Sequence, residues 1–509
     1  MDAPSQQAAI GFLADPASHG GEAVERIDTH ISTLFLAGDR VFKLKKAVRL
    51  SFLDFSTLVA RQAACEAEVT INRRTAPDLY LGLIAITREA DGSLAFDGAG
   101  PVEEWVVAMR RFDQSTLFDR LSDAGRLDTD LIDGLTDAVA ACHAAAPIRS
   151  DKGGRDGIAR VVDSNRAALL AASPAILDPA EIEALDSATR NALERLSPLL
   201  EARRESGLVR ACHGDLHLGN ICLVDGRPTL FDAIEFSEDY SCIDLLYDLA
   251  FLLMDLDHRG RRDLACRVMN RTLDRTGDYD GIVTLPLFLS LRAAVRALVL
   301  GTAAAANGDD AVRERQGAEA RRYLTAARAY LTPPPPRLLA VGGLSGSGKS
   351  RLGRDLAPLL GVPGAVVVRS DAIRKQLQGV APDHRLGPEG YDEAVTERTY
   401  QTMYETCARL LAAGLPVIAD AVFARPEQRA AIEAVASAAA LPFAGFWLEV
   451  DPDIAAARIL ARRADVSDAT PEVLRRQLAY PTGTITWTRI DSGQDKPATL
   501  AAARASLGL

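Results

Sequence analysis

The chain has 509 residues, 48% hydrophobic and 25% charged, enough for two or three domains with separate cores and ordinary for a water-soluble globular protein. Acidic residues outnumber basic ones 69 to 58, and the net charge of −11 argues against a general electrostatic grip on nucleic acid or an anionic membrane. The seven cysteines (65, 142, 212, 222, 242, 266 and 407) are scattered, form no C-x-x-C pair, and fit reduced thiols in a cytosol.

Met1 to Gly20 has neither a basic start nor a continuous apolar stretch, so no signal peptide is expected. Residues 27–48 predict a hairpin: Thr33-Leu-Phe-Leu-Ala, a turn at Gly38-Asp39, then Arg40-Val-Phe-Lys-Leu-Lys-Lys46. Alternation places Lys43 and Lys45 on one face and Phe42 and Leu44 on the other. Such lysines serve either to hold nucleotide phosphates in a cleft or to solvate a strand edge. A helix is expected from Leu58 to Arg74, carrying Glu66 and Glu68, and strands at 81–87 and 105–112. This stretch reads as a small antiparallel sheet with one helix. From Leu117 to Ala145 and Gly157 to Ser206 helical periodicity dominates, with Asp178-Pro179 as a helix start.

Cys212-His-Gly-Asp-Leu-His-Leu-Gly-Asn220 is the first stretch that carries chemistry, followed by Thr229-Leu-Phe-Asp-Ala-Ile-Glu-Phe236. Asp215 and Asn220 share one polar loop, and Asp232 follows a short apolar strand that Asp225-Gly226 turns back toward it. A carboxylate, a carboxamide five residues on and a second carboxylate after a hairpin suit a Mg²⁺-bound triphosphate: one group accepts the proton of an attacking hydroxyl and two hold the metal through oxygen. Cys212, His213, His217 and Cys222 match no common zinc spacing.

On these residues the chain resembles the aminoglycoside-phosphotransferase-like kinases, a branch of the protein-kinase fold whose H-G-D-x-x-x-x-N loop is matched by His213, Gly214, Asp215 and Asn220. The resemblance covers roughly residues 25–325 and implies a bilobal fold. It implies Asp215 as catalytic base and Asn220 and Asp232 as Mg²⁺ ligands. It also implies a phosphate lysine at Lys43 with Lys45 as rival, a partner glutamate at Glu68 with Glu66 as rival, and an adenine-facing hinge around Met109. The hairpin departs from the family's frequent Asp-x-Gly or Asp-x-Asp by reading Asp-Ala-Ile-Glu, so Glu235 is either an added ligand or structural. No Gly-rich flap precedes Lys43, which disfavours protein substrates. Asp244 and Asp248, four apart on an expected apolar helix, correspond to aspartates that brace the catalytic loop.

The most apolar long segment, Leu285 to Ala306, contains Arg292 and Arg296 and reads as a buried helix rather than a membrane span. Helices continue to Tyr330, and Thr332-Pro-Pro-Pro-Pro336 then marks the clearest domain boundary. It divides a domain at 1–330, with a small lobe at about 25–112 and a large lobe at about 113–330, from a second at 337–509, with 331–336 as linker.

Gly343-Leu-Ser-Gly-Ser-Gly-Lys-Ser350 fits G-x-x-x-x-G-K-[ST] between an apolar strand (337–342) and a helix with Leu352, Leu356 and Leu359 at helical spacing. Gly343, Gly346 and Gly348 let main-chain N–H groups, with those of Ser345 and Ser347, turn onto phosphate oxygens. Lys349 would reach the terminal phosphates and the Ser350 hydroxyl would complete a Mg²⁺ shell. Strands at 365–369, 416–420 and 445–450 alternate with helices at 393–413, 426–440 and 454–463, the pattern of a parallel sheet in a three-layer α/β/α domain. Asp371 and Asp420 each follow or end a strand beside the loop and suit a base and a metal or substrate ligand, or else helix caps. Arg458, Arg462 and Arg463 suit a charge-neutralising lid or a solvated face.

Roughly residues 337–500 resemble the P-loop kinases related to polynucleotide kinase, zeta toxin and chloramphenicol phosphotransferase. That resemblance implies Asp371 as base, Arg374 as substrate anchor, Asp420 as substrate or metal ligand and Arg462 or Arg463 as lid arginine. The chain thus reads as two tandem kinases that use ATP and Mg²⁺ to phosphorylate hydroxyls of small molecules in the cytoplasm; neither fold names its acceptor. Three rivals stand beside this reading. One is a 5′-hydroxyl kinase of nucleic acid in the second half, which the overall acidity disfavours. The others are an ATP-sensing protein with one inactive half and a toxin acting on a sugar nucleotide.

Overall fold

A computed structural model describes residues 3–50, 53–172, 176–382, 384–461 and 467–509. The chain forms two compact units, Met1–Ile158 with Leu200–Leu252, and Ala159–Leu199 with Leu253–Leu509. The proline run therefore lies inside the second unit.

In the first unit a six-stranded sheet has the spatial order Val24–Asp28, Ser32–Ala37, Arg40–Lys45, Val102–Arg110, Tyr80–Arg88, Leu94–Phe96, with every neighbour antiparallel. The tight turn at Gly38 (φ 54°) joins the second and third strands, as its sequence predicts. Both faces are covered. Phe35, Phe42, Leu44, Ile86 and Val106 pack with Ala9 and Leu13 of the helix Ala3–Ala14. Leu36, Val41, Val107 and Met109 pack with Cys65 and Val69 of the helix Leu58–Asn72 and with Cys222 and Val224. The sequence reading contains no helix at Ala3–Ala14, where alanine and glutamine leave little apolar periodicity. The lysine strand is accordingly no solvated edge, because Lys43 and Lys45 are buried.

The polar loop is followed by the hairpin Ile221–Val224/Arg227–Leu230, whose turn places Asp225 and Gly226 at φ 50° and 76°. Asp244 corrects the sequence reading. It ends the short strand Cys242–Asp244, paired with Val209–Ala211, and the helix carrying Asp248 starts only at Leu245. Asp244 instead makes a buried two-oxygen pair with Arg203, 2.7 and 2.8 Å.

In the second unit the helices Leu285–Ala306 and Asp310–Leu331 pack together. The first is long and apolar enough to cross a membrane, but 67% of its apolar window is buried inside the protein, with Leu287, Phe288, Leu289 and Leu291 in the interior. A five-stranded sheet has the order Val366–Arg369, Val417–Asp420, Leu338–Gly342, Phe443–Glu449, Thr488–Asp491, every neighbour parallel. Register places Asp420 beside both Val341 and Arg369, so three strands end level where the phosphate loop begins. Leu352 and Leu356 are buried, but the helix ends at Leu356 and Leu359 is exposed in a following 3₁₀ turn. The strand Thr488–Asp491 and the helix Lys496–Leu507 complete the unit beyond the elements read from sequence.

Candidate active sites

The first site is built between the lysine strand, the helix Leu58–Asn72 and the loop from His213 to Glu235. Lys43 and Lys45, two apart on one strand, project to the same side and converge on Glu68, a fully buried carboxylate. Lys43 Nζ lies 2.7 Å from Glu68 Oε1 and 2.5 Å from Asp232 Oδ1, while Lys45 Nζ lies 2.5 Å from Glu68 Oε2 and is also ion-paired with Glu235. Burial opposes ionisation of Glu68, but the two ammonium groups outweigh it and hold its pKa at about 2. The Lys43 pKa is likewise raised despite its burial, chiefly by Asp232 and Glu68. The rival Glu66 is exposed and bonded to Gln62.

Asp232 adopts φ 60°, a left-handed backbone that aspartate tolerates better than most residues. Its N–H donates to the Tyr80 hydroxyl (3.1 Å) and the next N–H, of Ala233, to Asn72 Oδ1 (2.8 Å). The sheet and helix thus grip the turn that aims Asp232 at Lys43. On the facing loop Asn220 Nδ2 donates to Asp215 Oδ2 (2.9 Å) and to the Asp215 carbonyl (3.0 Å). Asp215 and Asp232 keep about two-fifths of their side-chain surface in water, unlike the groups behind them. His213 ties loop to hairpin: Nε2 donates to the Phe231 carbonyl (2.9 Å), and Nδ1 accepts from Asp215 N–H (3.3 Å). That pattern fixes a neutral imidazole, and burial lowers its pKa accordingly. Asp248 braces the loop by accepting from the N–H groups of Gly214 (2.8 Å) and His213 (3.4 Å) and pairing with His143 Nε2 (2.8 Å). Met109 lies in the strand Val102–Arg110, buried in the cluster that contains Cys222 and Val224.

The second site surrounds the phosphate loop. Gly343, Gly346 and Gly348 take φ of 141°, 83° and 90°. A Cβ at Gly343 would stand 2.7 Å from Ser347 Oγ and 2.8 Å from Leu448 O, and one at Gly346 only 2.5 Å from Ala455 O. Ser345 N–H donates to Gln477 Oε1 (2.8 Å), a contact 132 residues distant with no local signal in the sequence. Lys349 and Ser350 open the helix Lys349–Leu356. Asp371 lies in the first turn of the helix Ser370–Leu377, whose N-cap is Arg369, so the capping alternative is excluded. Asp420 ends its strand and caps no helix; its Oδ1 is buried without a hydrogen-bond partner, as is Ser347 Oγ. Arg374 is buried over the Tyr391 ring (4.7 Å) and donates to Gly390 O (2.9 Å). Lys375 and Tyr391 both reach Asp468, at 3.0 Å, a residue that local sequence does not single out. Arg458 donates to Ser492 O (2.8 Å), and Arg462 and Arg463 lie outside the described residues.

The glycine cradle, the orphaned Ser347 and Asp420 oxygens and the Asp215–Asn220–Asp232 group fit a nucleotide triphosphate with its divalent cation. Residues 94–282 match the phosphotransferase enzyme family, and residues 338–482 match an AAA domain. The choline/ethanolamine kinase family protein of Mesorhizobium loti is similar in structure at 15% identity, over 64% of this chain and 99% of its own, with a TM-score of 0.38. The APS kinase CysC of Mycobacterium tuberculosis is similar at 16% identity, over 35% of this chain and 99% of its own, with a TM-score of 0.25. Uncharacterized proteins of Mycobacterium tuberculosis and Mycobacterium bovis are each 31% identical over 477 residues, 91% of this chain and 91% of theirs. The chain belongs to the family of these mycobacterial proteins, and it joins a phosphotransferase-family domain to a P-loop kinase domain in one polypeptide.

Proposed function

We propose that each domain transfers the γ-phosphoryl group of ATP to a hydroxyl of a small-molecule acceptor. The observation that carries this reading is Lys43, held between the buried Glu68 and the more exposed Asp232. A lysine so placed is ready to contact phosphates on the cleft side, while Lys45, paired with Glu235 behind it, is structural. Asp215 accepts the acceptor hydroxyl's proton as its oxygen forms the new bond to phosphorus and the bond to the ADP oxygen breaks. Asn220 orients that carboxylate through its nitrogen, which reserves its carbonyl oxygen, with Asp232, for a cation. Mg²⁺, when bound, screens the charge of the transferring group.

In the second site the loop 343–350 takes the phosphates, Lys349 the terminal ones and Ser350 the cation. Asp371 is the base, Arg374 the acceptor's anchor and Asp420 a cation or acceptor ligand. Asp215→Ala and Lys349→Ala are each expected to abolish one of two ATP-consuming activities in a metabolite pool and to leave the other. A single substitution that silences all turnover would leave only one active site and refute the tandem reading.

A further inference from the structure

The helix Arg262–Thr276 lies upstream of the proline run, yet it is built into the edge of the P-loop sheet. The strand Val366–Arg369 is an edge strand, with exposed main-chain groups to satisfy. Asn270 satisfies them as a neighbouring strand would: its Oδ1 accepts from Val367 N–H (2.7 Å) and its Nδ2 donates to Ala365 O (3.1 Å). One helical turn on, Asp274 Oδ2 accepts from Arg369 Nη1 at 2.9 Å. The same guanidinium places Nε 3.4 Å from Asp420 Oδ2. Arg369 and Asp420 are each 3% exposed and the Asp274 side chain is 12% exposed, so water does little to screen these charges. Arg369 thus stands between two carboxylates, nearer to Asp274 than to Asp420.

We propose that Asp274 is a positioning residue of the P-loop site, which holds Arg369 back from Asp420 so that Asp420 keeps an uncommitted anionic oxygen for a divalent cation. The proposal rests on reading the loop 343–350 as an ATP site. Without the Asp274 charge, the pull on Arg369 shifts toward Asp420, favouring a two-oxygen pair, the geometry guanidinium prefers, that neutralises it. The orphaned Asp420 Oδ1 is the atom this arrangement protects. The P-loop site thereby depends on an acid that the first 330 residues supply.

The test uses the full chain, a fluorescent ATP analogue and a Mg²⁺ titration read by anisotropy, counting only the binding that Lys349→Ala removes. Asp274→Asn is expected to raise the Mg²⁺ concentration for half-maximal binding by about tenfold, the usual scale for an outer-shell partner. Binding of the analogue without Mg²⁺ is expected to stay unchanged, and Asp274→Glu to restore the titration in part. Asn270→Ala, which loosens the same docking without touching a charge, is expected to leave the Mg²⁺ midpoint in place. Asp274→Asn/Arg369→Gln, which removes the clamp with its holder, is expected to return the midpoint toward that of the unaltered chain; it carries the test should Asp274→Asn alone fail to fold. An unmoved midpoint in Asp274→Asn, or one shifted equally by Asn270→Ala, would overturn the proposal. Absence of any Lys349-dependent binding in the unaltered chain would instead overturn the nucleotide reading on which it stands.

Discussion

Lys45 and Glu235 form an ion pair with almost no contact with water, one step behind the pair that Lys43 makes with Asp232. Lys45 also neutralises Glu68, so its removal leaves two buried carboxylates short of a cation. Truncating one member of a buried pair costs about 3–5 kcal/mol. Lys45→Met is expected to destabilise the protein on that scale, measured by urea denaturation. Lys43→Met leaves Glu68 still paired with Lys45 and Asp232 partly solvated, so it is expected to lose the first activity with a smaller fall in stability. An equal loss from both would mean that the two lysines share one role.

Two buried groups make the first unit sensitive to acid, against the opposite contribution of Glu235, whose pKa burial raises. His213 is kept neutral, its pKa pulled below the ordinary 6.5 by burial. Glu68 is kept ionised, because Lys43 and Lys45 overcome the effect of its burial and bring it from 4.5 to about 2. Both groups bind fewer protons folded than unfolded, so stability falls as pH falls. The His213 contribution is lost below 6.5, and the Glu68 contribution from 4.5 down toward about 2. Denaturation midpoints are expected to decline in those two stages; a profile flat below 6.5 would contradict both assignments.

The sequence made these sites legible where their chemistry is local. His213 to Asn220 and Gly343 to Ser350 each lie on one short loop, so residue type and spacing alone bring the groups together. Alternation along 40–46 likewise placed both lysines on one face but could not rank them, because the ranking depends on Asp232 and Glu235, about 190 residues on. Asp244 was misplaced because an apolar helix pattern continues backward through a strand. Gln477, Asp468 and Asp274 left no trace, since the partners they hold lie 77 or more residues away in the chain.

Asp248 accepts from the main-chain N–H groups of Gly214 and His213 in the loop of Asp215 and pairs with His143 behind it, without touching the reacting atoms. Asp248→Asn keeps the volume but weakens two charge-assisted bonds from main-chain N–H groups. It is expected to lower kcat of the first activity by about tenfold or more with little change in KM for ATP, because the base is displaced while the phosphate lysine is not. Parallel kinetics of the second activity, expected unchanged, separate this effect from general instability. A rise in KM at constant kcat would place Asp248 in nucleotide binding instead.

Gly346 offers a separate probe of the second site. Its φ of 83° disfavours any side chain, and a Cβ there would meet Ala455 O at 2.5 Å and the Ala455 Cα at 2.9 Å. Neither obstacle is a flexible side chain, so the helix Pro452–Leu460 or the loop itself has to move. Gly346→Ala is therefore expected to abolish Lys349-dependent nucleotide binding, read by anisotropy of a labelled ATP analogue. Gly414→Ala is the matched control: its φ of 85° is as strained, but a Cβ there meets nothing within 4 Å. The backbone penalty of about 1 kcal/mol is common to both substitutions, so binding lost only in Gly346→Ala isolates the contact with Ala455. Equal loss in the two variants would assign the effect to strain in the chain and not to the shape of the phosphate cradle.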